Sequence, residues 1–550
     1  MSGLTRAPPR WVILLVNSAS AGNWPIAGRF TGTGVGKSLP GAVFPLRLAA
    51  IDIGSNAIRL LAAEFRDPVR HTKLDSARAP VRLGHDAFRI GQLSELSMDR
   101  AIEALSGFRR QMDVLGVSRY RAVATSAVRE SSNEEEFVER VLAETGIRIE
   151  PISGTDEAAL VWLAIRHRID MGSREWILID VGGGSVEISL ATKDEVVWSE
   201  SHPIGTVRLL EEMSGLDDCA PESIRRLLED QSAMLRTASE LGDGRVEGVI
   251  ATGGNAEALA DLAGERSADG GHQLLRVDQL EAMIERLAKL DLEERMNEFG
   301  LREDRADVIL PAAIFYHSVA ARVGAREILV PGVGVRDGVL LDLLEDLVEP
   351  VRHLKRLELQ ITSSALALGR HYRFDENHAK HVARLAIRLF DQLQELHELD
   401  DLDRRILLAA ALLHDIGQFV AYRRHHKHSQ YLIDNADLAT FSPSEIRMVA
   451  LTARYHRRAE PREGHEGLEG LATGEKSRLR MLASILRIAD ALDRDHAQHV
   501  TDVTAGVARG RLLLSLCGEG DLMEEQWALQ KKASLFADVF DLEPHFELRR

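Results

Sequence analysis

Cysteine is scarce in this sequence, and basic residues are outnumbered. Only Cys219 and Cys517 occur, far apart and outside any metal-binding spacing. A disulfide framework is therefore excluded, and a reducing cytoplasm is the expected location. The formal net charge of −17 argues against a non-specific nucleic-acid binder, which normally carries a basic surface. We expect no nucleic-acid partner, whereas local basic patches leave an anionic substrate open.

Long apolar runs are also missing, since no stretch approaches the roughly 20 residues that span a bilayer. We therefore expect no membrane partner. The first 46 residues contain no Asp or Glu and are rich in Gly, Pro, Ser and Ala. Such a segment resembles a targeting peptide, but its apolar part is weak and no clear cleavage site follows. We favour a disordered extension, or an upstream start codon that does not reflect the working protein.

One supersecondary unit occurs twice in a chain whose 550 residues suit about three or four domains. Residues 48–54 predict a buried strand that ends in an Asp-x-Gly turn with a serine, and 57–65 predict the returning strand. The same unit occurs at 176–190, where Asp180 stands in the place of Asp52. This internal repeat predicts two similar domains that face one another.

Glycine turns of this kind suit phosphate. Their main-chain N–H groups form anion-binding nests, and the serine adds a hydroxyl donor. The aspartate at the end of each strand is too negative to touch phosphate directly, but it suits a Mg²⁺ that bridges phosphate oxygens. One such turn is most often a plain hairpin, whereas two matched copies favour a phosphate site. Further glycine turns follow at 253–255 and 331–338.

A helix with a Ser/Thr cap is predicted between the two copies, at 153–161. Its first turn contains Asp156 and Glu157, and spacing alone favours the simple role of complementing the helix dipole. The functional alternative is a general base that deprotonates water for attack on phosphorus. Arg129, just beyond a predicted strand, either clamps a phosphate with two hydrogen bonds or forms a surface ion pair.

Five motifs together resemble the exopolyphosphatase / guanosine pentaphosphate phosphohydrolase (Ppx/GppA) family. They are Ala-Ile-Asp-Ile-Gly-Ser-Asn (50–56), Thr-Ser-Ala-Val-Arg (125–129), Ser-Gly-Thr-Asp-Glu-Ala (153–158), Ile-Asp-Val-Gly-Gly-Gly-Ser-Val-Glu (179–187) and Ala-Thr-Gly-Gly (251–254). The resemblance covers about residues 48–550. It implies an α/β fold with two actin-like (ASKHA, ribonuclease-H-like) lobes and a site in the cleft between them. The implied roles are catalytic base for Glu157, Mg²⁺ ligands for Asp180 and Glu187, and phosphate cradle for Ser55, Asn56, Arg129, Gly183, Gly184 and Ser185.

A second set of motifs lies in the helical, histidine-rich sequence past residue 348. Histidine and aspartate from several helices can converge into a metal site. For any one histidine a satisfied side chain on a basic surface is the favoured explanation, whereas the ordered set favours the metal site. The set resembles the HD phosphohydrolase superfamily, whose motif is often degraded in Ppx/GppA proteins but keeps its ligands here. Mn²⁺, Fe and Mg²⁺ all suit such a site. The resemblance implies four ligands, His378, His414, Asp415 and Asp490, and a second metal or phosphate position at His428 and His456.

These motifs divide the chain into five expected segments. The two lobes are followed by an all-α HD-type domain and a small α+β domain. A cluster of basic residues between 423 and 458 forms either a solvated face or a track for a long polyanion. The segments are a disordered extension at 1–46, lobe I at 47–168, lobe II at 169–348, the HD-type domain at 349–503 and the α+β domain at 504–550.

The expected function is that of a cytoplasmic exopolyphosphatase, which uses Mg²⁺ to release orthophosphate from the end of inorganic polyphosphate. A homodimer is implied by resemblance to the larger family members. The first alternative is a guanosine pentaphosphate 5′-phosphohydrolase that uses the same residues. The second is an actin-like nucleotide-binding sensor with hydrolysis at the HD-type site, and a third is a non-catalytic polyphosphate-binding protein.

Overall fold

A computed structural model describes residues 43–213, 246–267, 270–457, 459–462, 464–465, 467–508, 510–518 and 522–549. Residues 1–42 of the expected extension lie outside the described part. The chain divides into two compact units. The N-terminal unit contains the residues up to Asp194 together with Glu200–His353, and the C-terminal unit contains Glu195–Ser199 and Leu354–Arg550. None of the described helices is long and apolar enough to cross a membrane.

The first sheet of the N-terminal unit contains β1 (Leu46–Ile53), β2 (Ile58–Phe65), β3 (His71–Ala79), β4 (Arg119–Ala124) and β5 (Ile149–Pro151). Its strand order is β3-β2-β1-β4-β5, with β1 antiparallel to β2 and parallel to β4. From Leu48 onward β1 is buried at every position, as its continuous apolar sequence predicts for a central strand covered on both faces.

The second sheet contains β6 (Glu175–Val181), β7 (Val186–Ala191), β8 (Val196–His202), β9 (Val246–Thr252), β10 (Glu265–Arg266), β11 (Gln273–Arg276) and β12 (Glu327–Val330). Its strand order is β10-β11-β12-β9-β6-β7-β8. Strands β6 and β7 form an antiparallel hairpin, and β6 runs parallel to β9. The predicted repeat is therefore present, since each sheet has one hairpin whose first strand pairs with a parallel neighbour.

Helices surround these sheets, and serine caps fix where two of them begin. Ser94 and Ser153 accept the main-chain N–H of Ser97 and Asp156 respectively, which satisfies donors that the first helical turn leaves unpaired. The helices are α1 (Leu83–Ile90), α2 (Glu95–Leu115), α3 (Ser126–Arg129), α4 (Glu134–Thr145), α5 (Gly154–Arg168), α6 (Thr206–Met213), α7 (Gly253–Ala263), α8 (Val277–Leu287), α9 (Leu292–Phe299), α10 (Glu303–Ala306), α11 (Ile309–Arg322) and α12 (Val335–Val348).

The C-terminal unit is helical up to residue 491. Its apolar core is built mainly from leucine, isoleucine and alanine side chains that are fully buried between the long helices. A 3₁₀ turn at Ile416–Phe419 follows the fourth of these helices. The helices are α13 (Pro350–His371), α14 (Glu376–Gln392), α15 (Gln394–His397), α16 (Asp401–Leu413), α17 (His425–Asp434), α18 (Pro443–Arg454) and α19 (Thr473–Ala491).

A three-stranded sheet completes the C-terminal unit. It contains β13 (Val500–Ala508), β14 (Arg511–Gly518) and β15 (Glu543–Arg549), with α20 (Met523–Lys532) and α21 (Ser534–Phe540) between the last two strands. The helical stretch between β14 and β15 is divided at Ala533. Strand β13 begins at Val500, within the segment 349–503 that we expected to be all-α, because it pairs antiparallel with β14.

Close packing of α12 against α5 predicts the effect of one methyl group. A Cβ at Gly338 would collide with the main-chain carbonyl of Leu160, so we expect Gly338→Ala to lower the free energy of unfolding by about 2–3 kcal/mol. Gly107→Ala is the matched control, because that helical glycine has nothing within 4 Å of its Cβ position. The control should be neutral or stabilising by up to ~1 kcal/mol. Equal stability of the two variants in urea unfolding would contradict the packing.

Candidate functional site

The two hairpins of the N-terminal unit have the same form but carry different charges. Asp52 on β1 lies directly opposite Arg59 on β2, and Asp180 on β6 lies directly opposite Glu187 on β7. Arg59 and Glu187 therefore occupy equivalent places in the two copies of the repeat. The first hairpin presents an ion pair, with 3.9 Å between the side chains, whereas the second presents two carboxylates.

The glycine turn after β6 lies tightly against the serine turn after β1. A Cβ at Gly184 would collide with the Ser126 hydroxyl and lie 2.9 Å from the Ser55 Oγ, and a Cβ at Gly183 would lie 3.1 Å from the Ser55 Cβ. The Ser55 and Ser126 hydroxyl oxygens are 3.1 Å apart. Glycine thus brings main-chain N–H groups and hydroxyls together, which forms a cradle suited to a small anion.

Helix α6 holds the glycine turn in place. The main-chain N–H groups of Thr206 and Val207 donate to the carbonyls of Gly182 and Gly183 at 3.0 and 2.8 Å. Because these bonds fix the peptide planes of the turn, its conformation is set before any ligand binds. Such preorganisation is what a site for a developing charge requires.

Four carboxylates, those of Asp52, Glu157, Asp180 and Glu187, lie in this site, and none of these residues is more than 8% exposed. Among the described residues, one oxygen each of Glu157 and Glu187 (Oε2) has no hydrogen-bond partner. Burial, together with the charges of Glu187 and Asp180, raises the pKa of Glu157 well above its ordinary value. Burial also raises the pKa of Glu187 to about 7 and that of Asp180 to about 6.

This concentration of buried negative charge fits a divalent cation. Carboxylate oxygens are the ligands that Mg²⁺ prefers, and a cation would remove the repulsion that keeps these groups protonated. Asp180 and Glu187 are the two ligands that the sequence resemblance implies, and they face each other across one hairpin. The orphaned oxygen of Glu157 is then suited to accept a proton from water.

The surroundings of Glu157 differ from those of a residue that only complements a helix dipole. In the same helical turn, Asp156 contributes to the cap, since its main-chain N–H and its carboxylate both hydrogen-bond with the Ser153 hydroxyl at 3.0 Å. Glu157 is instead buried beside Asp180 and Glu187. The role in the dipole that spacing alone favoured therefore belongs to Asp156.

Two further predicted cradle residues, Arg129 and Asn56, have different surroundings. Arg129 lies beside Glu157 and Glu187, where its positive charge lowers their pKa values against the effect of burial. The side-chain amide of Asn56 donates to the main-chain carbonyl of Asp304 at 3.0 Å, and this carbonyl belongs to α10 of the second lobe. The main-chain nitrogen of Asn56 lies 3.6 Å from a Cβ built at Gly183, so the main chain of Asn56 lies beside the cradle.

Two hydroxyl groups orient Glu187. The predicted phosphate ligand Ser185 hydrogen-bonds to it, and Ser201 on β8 donates to its Oε1 at 2.8 Å. Both bonds stabilise the ionised form and oppose the effect of burial. Ser201 was missed in the sequence because it belongs to none of the motifs, and only its strand neighbour β7 connects it to the site.

The two lobes of the N-terminal unit are also joined by ion pairs near Asn56. The guanidinium of Arg78 contacts the Asp304 carboxylate, and Arg82 donates to the Asp307 carboxylate at 2.8 Å. Arg78 and Arg82 belong to the first lobe, whereas Asp304 and Asp307 lie at α10 in the second. These contacts fasten the lobes together beside the cradle.

Two arginines that the sequence did not reveal lie at the third glycine turn. A Cβ at Gly254 would lie 2.5 Å from one guanidinium nitrogen of Arg305 and 3.3 Å from one of Arg59. Burial, with Arg59 nearby, lowers the pKa of Arg305 to about 10, and its guanidinium contacts the Asn255 side chain. Arg59 could have been found from its place opposite Asp52, whereas Arg305 lies in a segment without a motif.

A second cluster lies in the C-terminal unit, where four helices or helix ends meet. His378 on α14 and His414 after α16 face each other with 3.2 Å between their Nε2 atoms. The Asp490 Oδ1 lies 4.0 and 3.9 Å from these two atoms. The Asp415 Oδ2 lies 4.0 and 3.8 Å from the same pair. The four predicted ligands are therefore brought together.

The other oxygen of Asp415 faces a second pair of histidines. Its Oδ1 lies 3.0 Å from the His425 Nε2 and 3.5 Å from the His456 Nε2, and these two nitrogens are 3.2 Å apart. His428, which we expected here, belongs to none of the ligand groups found among the described residues. His425, at the start of α17, takes its place because the helix begins there and directs its first residue to Asp415.

The four histidines share one hydrogen-bonding arrangement. Each Nδ1 lies against an acceptor, so a neutral ring in this position carries its proton on Nδ1 and presents a lone pair at Nε2. Two lone pairs that face each other at 3.2 Å repel unless a cation lies between them. The acceptors are the Asp493 carboxylate for His378 (2.8 Å) and the main-chain carbonyls of Ala411 for His414 (2.8 Å), Tyr422 for His425 (3.0 Å) and Ala453 for His456 (2.6 Å).

These contacts would suit a metal centre with its outer partners. A ligating histidine normally donates its other N–H to a carboxylate or carbonyl, which fixes the ring. Burial lowers the pKa values of His414 and His456, which favours the neutral form that binds metal. Asp493 is a partner that the sequence did not single out, although it lies one helical turn beyond Asp490.

The fold and the cradle together define a class, that of two-lobed, actin-like α/β proteins with buried carboxylates beside a glycine turn. Residues 66–347 match the model of the Ppx/GppA phosphatase family, and residues 362–532 match that of Ppx/GppA phosphatase domain III. The chain belongs to the Ppx/GppA phosphatase family. The predicted family and the predicted α/β, actin-like fold class are thereby confirmed.

Solved structures agree with this assignment. An exopolyphosphatase from Cytophaga hutchinsonii is 27% identical over 55% of this chain and 98% of its own, with a TM-score of 0.51. A Ppx/GppA family member from Aquifex aeolicus is 27% identical over 54% of this chain and 97% of its own, with a TM-score of 0.47. The resemblance of the C-terminal unit to HD phosphohydrolases stays a prediction.

The raised pKa of Glu187 predicts how stability depends on pH without metal. Well below pH 4.5, the ordinary pKa of a glutamate, the group is protonated in both the folded and the unfolded state. Between there and about 7 the unfolded state ionises first, so stability falls as pH rises. At pH 8 we expect Glu187→Gln to raise the free energy of unfolding of the metal-free protein by about 2 kcal/mol.

The gain should disappear near pH 4.5, where the wild-type carboxyl keeps its proton. Glu139→Gln, on the exposed side of α4, is the control that removes a charge without relieving burial. Thermal unfolding in the presence of a chelator measures both variants. A destabilising effect of Glu187→Gln at pH 8 would show that Glu187 is not held in a repulsive environment.

Proposed function

We propose that this protein is an exopolyphosphatase that hydrolyses the terminal phosphate of inorganic polyphosphate. The observation that carries the proposal is the buried Glu157 carboxylate, with one orphaned oxygen, beside the glycine cradle and a cation-binding pair of carboxylates. The proposal also rests on the family to which the chain belongs. The cytoplasm is the expected location, and a homodimer is the expected assembly.

Glu157 is assigned the role of general base. Its pKa lies well above that of an ordinary glutamate because it is buried beside two other carboxylates. A raised pKa makes a carboxylate a better acceptor for a water proton near neutral pH. The water oxygen then forms a bond to the terminal phosphorus, the bridging P–O bond breaks, and the shortened chain leaves with the bridging oxygen while orthophosphate is released.

The cradle residues are assigned to the transferred phosphoryl group. The glycine turn at Gly183–Gly184 and the Ser55 hydroxyl offer donors in a fixed arrangement, and Arg129 adds a positive charge beside the base. Phosphoryl transfer depends mainly on such positioning and charge stabilisation. Mg²⁺ held by Asp180 and Glu187 would supply a Lewis acid for the phosphate oxygens.

Guanosine pentaphosphate is the alternative substrate for the same site. The observation that favours it is the arginine pair at the third glycine turn, Arg59 and Arg305. Planar guanidinium groups can bind phosphate with two hydrogen bonds and can also stack on a base. Phosphate release from long polyphosphate and from guanosine pentaphosphate, measured side by side, separates the two substrates.

The role of Glu157 predicts a selective loss of turnover. We expect Glu157→Gln to lower kcat for phosphate release by about 10²–10⁴-fold, because the amide cannot accept a proton. KM should change little, since the cradle and the cation-binding carboxylates remain. Asp156→Asn is the matched control from the same helical turn, and it should retain turnover because the Asp156 carboxylate hydrogen-bonds with the capping Ser153 hydroxyl.

One result would move the activity to the other unit. If Glu157→Gln released phosphate at the wild-type rate while His414→Ala-Asp415→Ala abolished release, hydrolysis would belong to the C-terminal cluster. The N-terminal lobes would then act as a nucleotide-binding sensor. If the wild-type protein released no orthophosphate from either substrate with Mg²⁺, a polyphosphate-binding role would replace both proposals.

We also propose that the cluster in the C-terminal unit is a centre for two divalent cations. Its support is the division of the Asp415 carboxylate, whose oxygens face two different histidine pairs. The first position is formed by His378, His414 and Asp490, and the second by His425 and His456, with Asp415 between them. Four imidazoles with two carboxylates suit Fe or Mn²⁺ better than Mg²⁺.

The centre predicts different effects for two histidines of one helix. We expect His425→Ala to lower the bound metal of the purified protein by about one equivalent per chain, since a missing ligand weakens binding at least 10–100-fold. His428→Ala should leave the metal content unchanged, because His428 is outside the ligand groups. Elemental analysis after dialysis against Mn²⁺ makes the measurement. Equal metal content in the two variants would exclude His425 as a ligand.

A further inference from the structure

A lysine from the end of the chain reaches the cluster in the C-terminal unit. Lys532 is the last residue of α20, and its ammonium contacts the Oδ2 of Asp490. The other oxygen of Asp490, Oδ1, lies 4.0 and 3.9 Å from the Nε2 atoms of His378 and His414. The Asp490 carboxylate thus lies between the Lys532 ammonium and the first of the proposed metal positions.

The environment of Lys532 differs from that of a surface ion pair. Its side chain is 16% exposed and that of Asp490 is 9% exposed, so water screens the pair little. Its neighbour Lys531 is exposed, and its Nζ lies 3.3 Å from the centre of the Trp527 ring. Two adjacent lysines of one helix therefore serve different partners, one at the surface and one at the cluster.

The charges of the metal-free centre explain why a cation is needed there. Asp490 is a buried acid, and Asp415 beside it is partly exposed. The His414 and His456 rings near them donate their Nδ1 protons to main-chain carbonyls and so bring no donor to these carboxylates. A buried charge without a partner is strongly destabilising. Lys532 compensates Asp490, because its ammonium contacts the Asp490 carboxylate.

Resting on the metal centre proposed above, we propose that Lys532 is a tethered counter-ion that stabilises the metal-free centre and sets its affinity for divalent cations. When a cation enters the site of His378, His414 and Asp490, it shares a carboxylate with the ammonium and is repelled by it. Like charges a few ångströms apart interact strongly in a partly dry environment. Lys532 therefore favours the empty centre over the loaded one.

Mn²⁺ titration of the full-length, chelator-treated protein tests this role, with free Mn²⁺ measured by electron paramagnetic resonance. We expect Lys532→Met to bind Mn²⁺ at this centre about tenfold or more tightly than the wild type. Its metal-free form should melt at a lower temperature, and Mn²⁺ should restore the difference. Lys532→Arg keeps the charge and should bind as the wild type does. Lys531→Met is the matched control and should change neither quantity.

His414→Ala identifies which Mn²⁺ binding belongs to this centre rather than to the lobes. If that variant bound as much Mn²⁺ as the wild type, the proposed metal centre itself would fail. If His414→Ala lost the site but Lys532→Met bound Mn²⁺ with unchanged or lower affinity, the counter-ion role would be overturned while the metal centre stood. If Lys532→Met cannot be purified without metal, the Lys532→Arg and Lys531→Met affinities still decide, since a rise in either contradicts the proposal.

Discussion

Burying four carboxylates beside one another is the constraint on which the N-terminal unit depends. Asp52, Glu157, Asp180 and Glu187 repel each other in a place where water cannot screen them, and such a group must be protonated or bind a cation. The fold holds them there with apolar central strands and with α5, whose buried side chains fill the space around it. Rigid elements thus maintain an arrangement that the side chains alone would not adopt.

A similar repulsion operates in the C-terminal unit, but between nitrogen atoms instead of carboxylate oxygens. There the repulsion is between imidazole lone pairs, and main-chain carbonyls fix the rings so that they cannot turn away. In both units the fold holds groups that repel each other close together, at a cost in folding free energy. The donor sets differ, however, since oxygen ligands in the lobes suit Mg²⁺ and nitrogen-rich ligands in the helical unit suit a softer metal.

Duplication explains why the two hairpins of the candidate phosphate site have the same backbone form. Divergence of their sequences explains why the two hairpins carry different charges. The hairpins share their backbone, but one copy has Arg59 where the other has Glu187. A symmetric pair would present either two acids or two bases opposite the strand-end aspartates. The difference gives one side of the site a cation from the chain and leaves the other side to a metal ion.

The parts of the molecule that follow from local sequence were predictable. Both hairpins and the capped helix of Glu157 follow from short motifs, because each depends on residues close together in the chain. The residues that meet at His414 are far apart in the chain, and the resemblance to the HD phosphohydrolase motif predicted their cluster. The features that local sequence did not reveal involve partners that are distant in sequence. The choice of His425 over His428 depends on where α17 begins, and the orientation of Asn56 depends on a carbonyl 248 residues away.

Arg305, Ser201 and Lys532 were missed for the same reason. None of them belongs to a motif, and each reaches its site from another element of the fold. Folding brings together backbone turns and side chains that come from distant parts of the chain. The periodicity and spacing of residues in the sequence contain no information about contacts between such distant elements.

The contacts that join the two lobes differ in their response to salt. Arg78 contacts the Asp304 carboxylate and Arg82 donates to the Asp307 carboxylate, so mobile ions weaken both of these charged contacts. The hydrogen bond from the Asn56 amide to the Asp304 carbonyl joins two uncharged groups and is not screened in this way. Added salt therefore loosens the ion-paired part of this junction while the hydrogen bond of Asn56 remains.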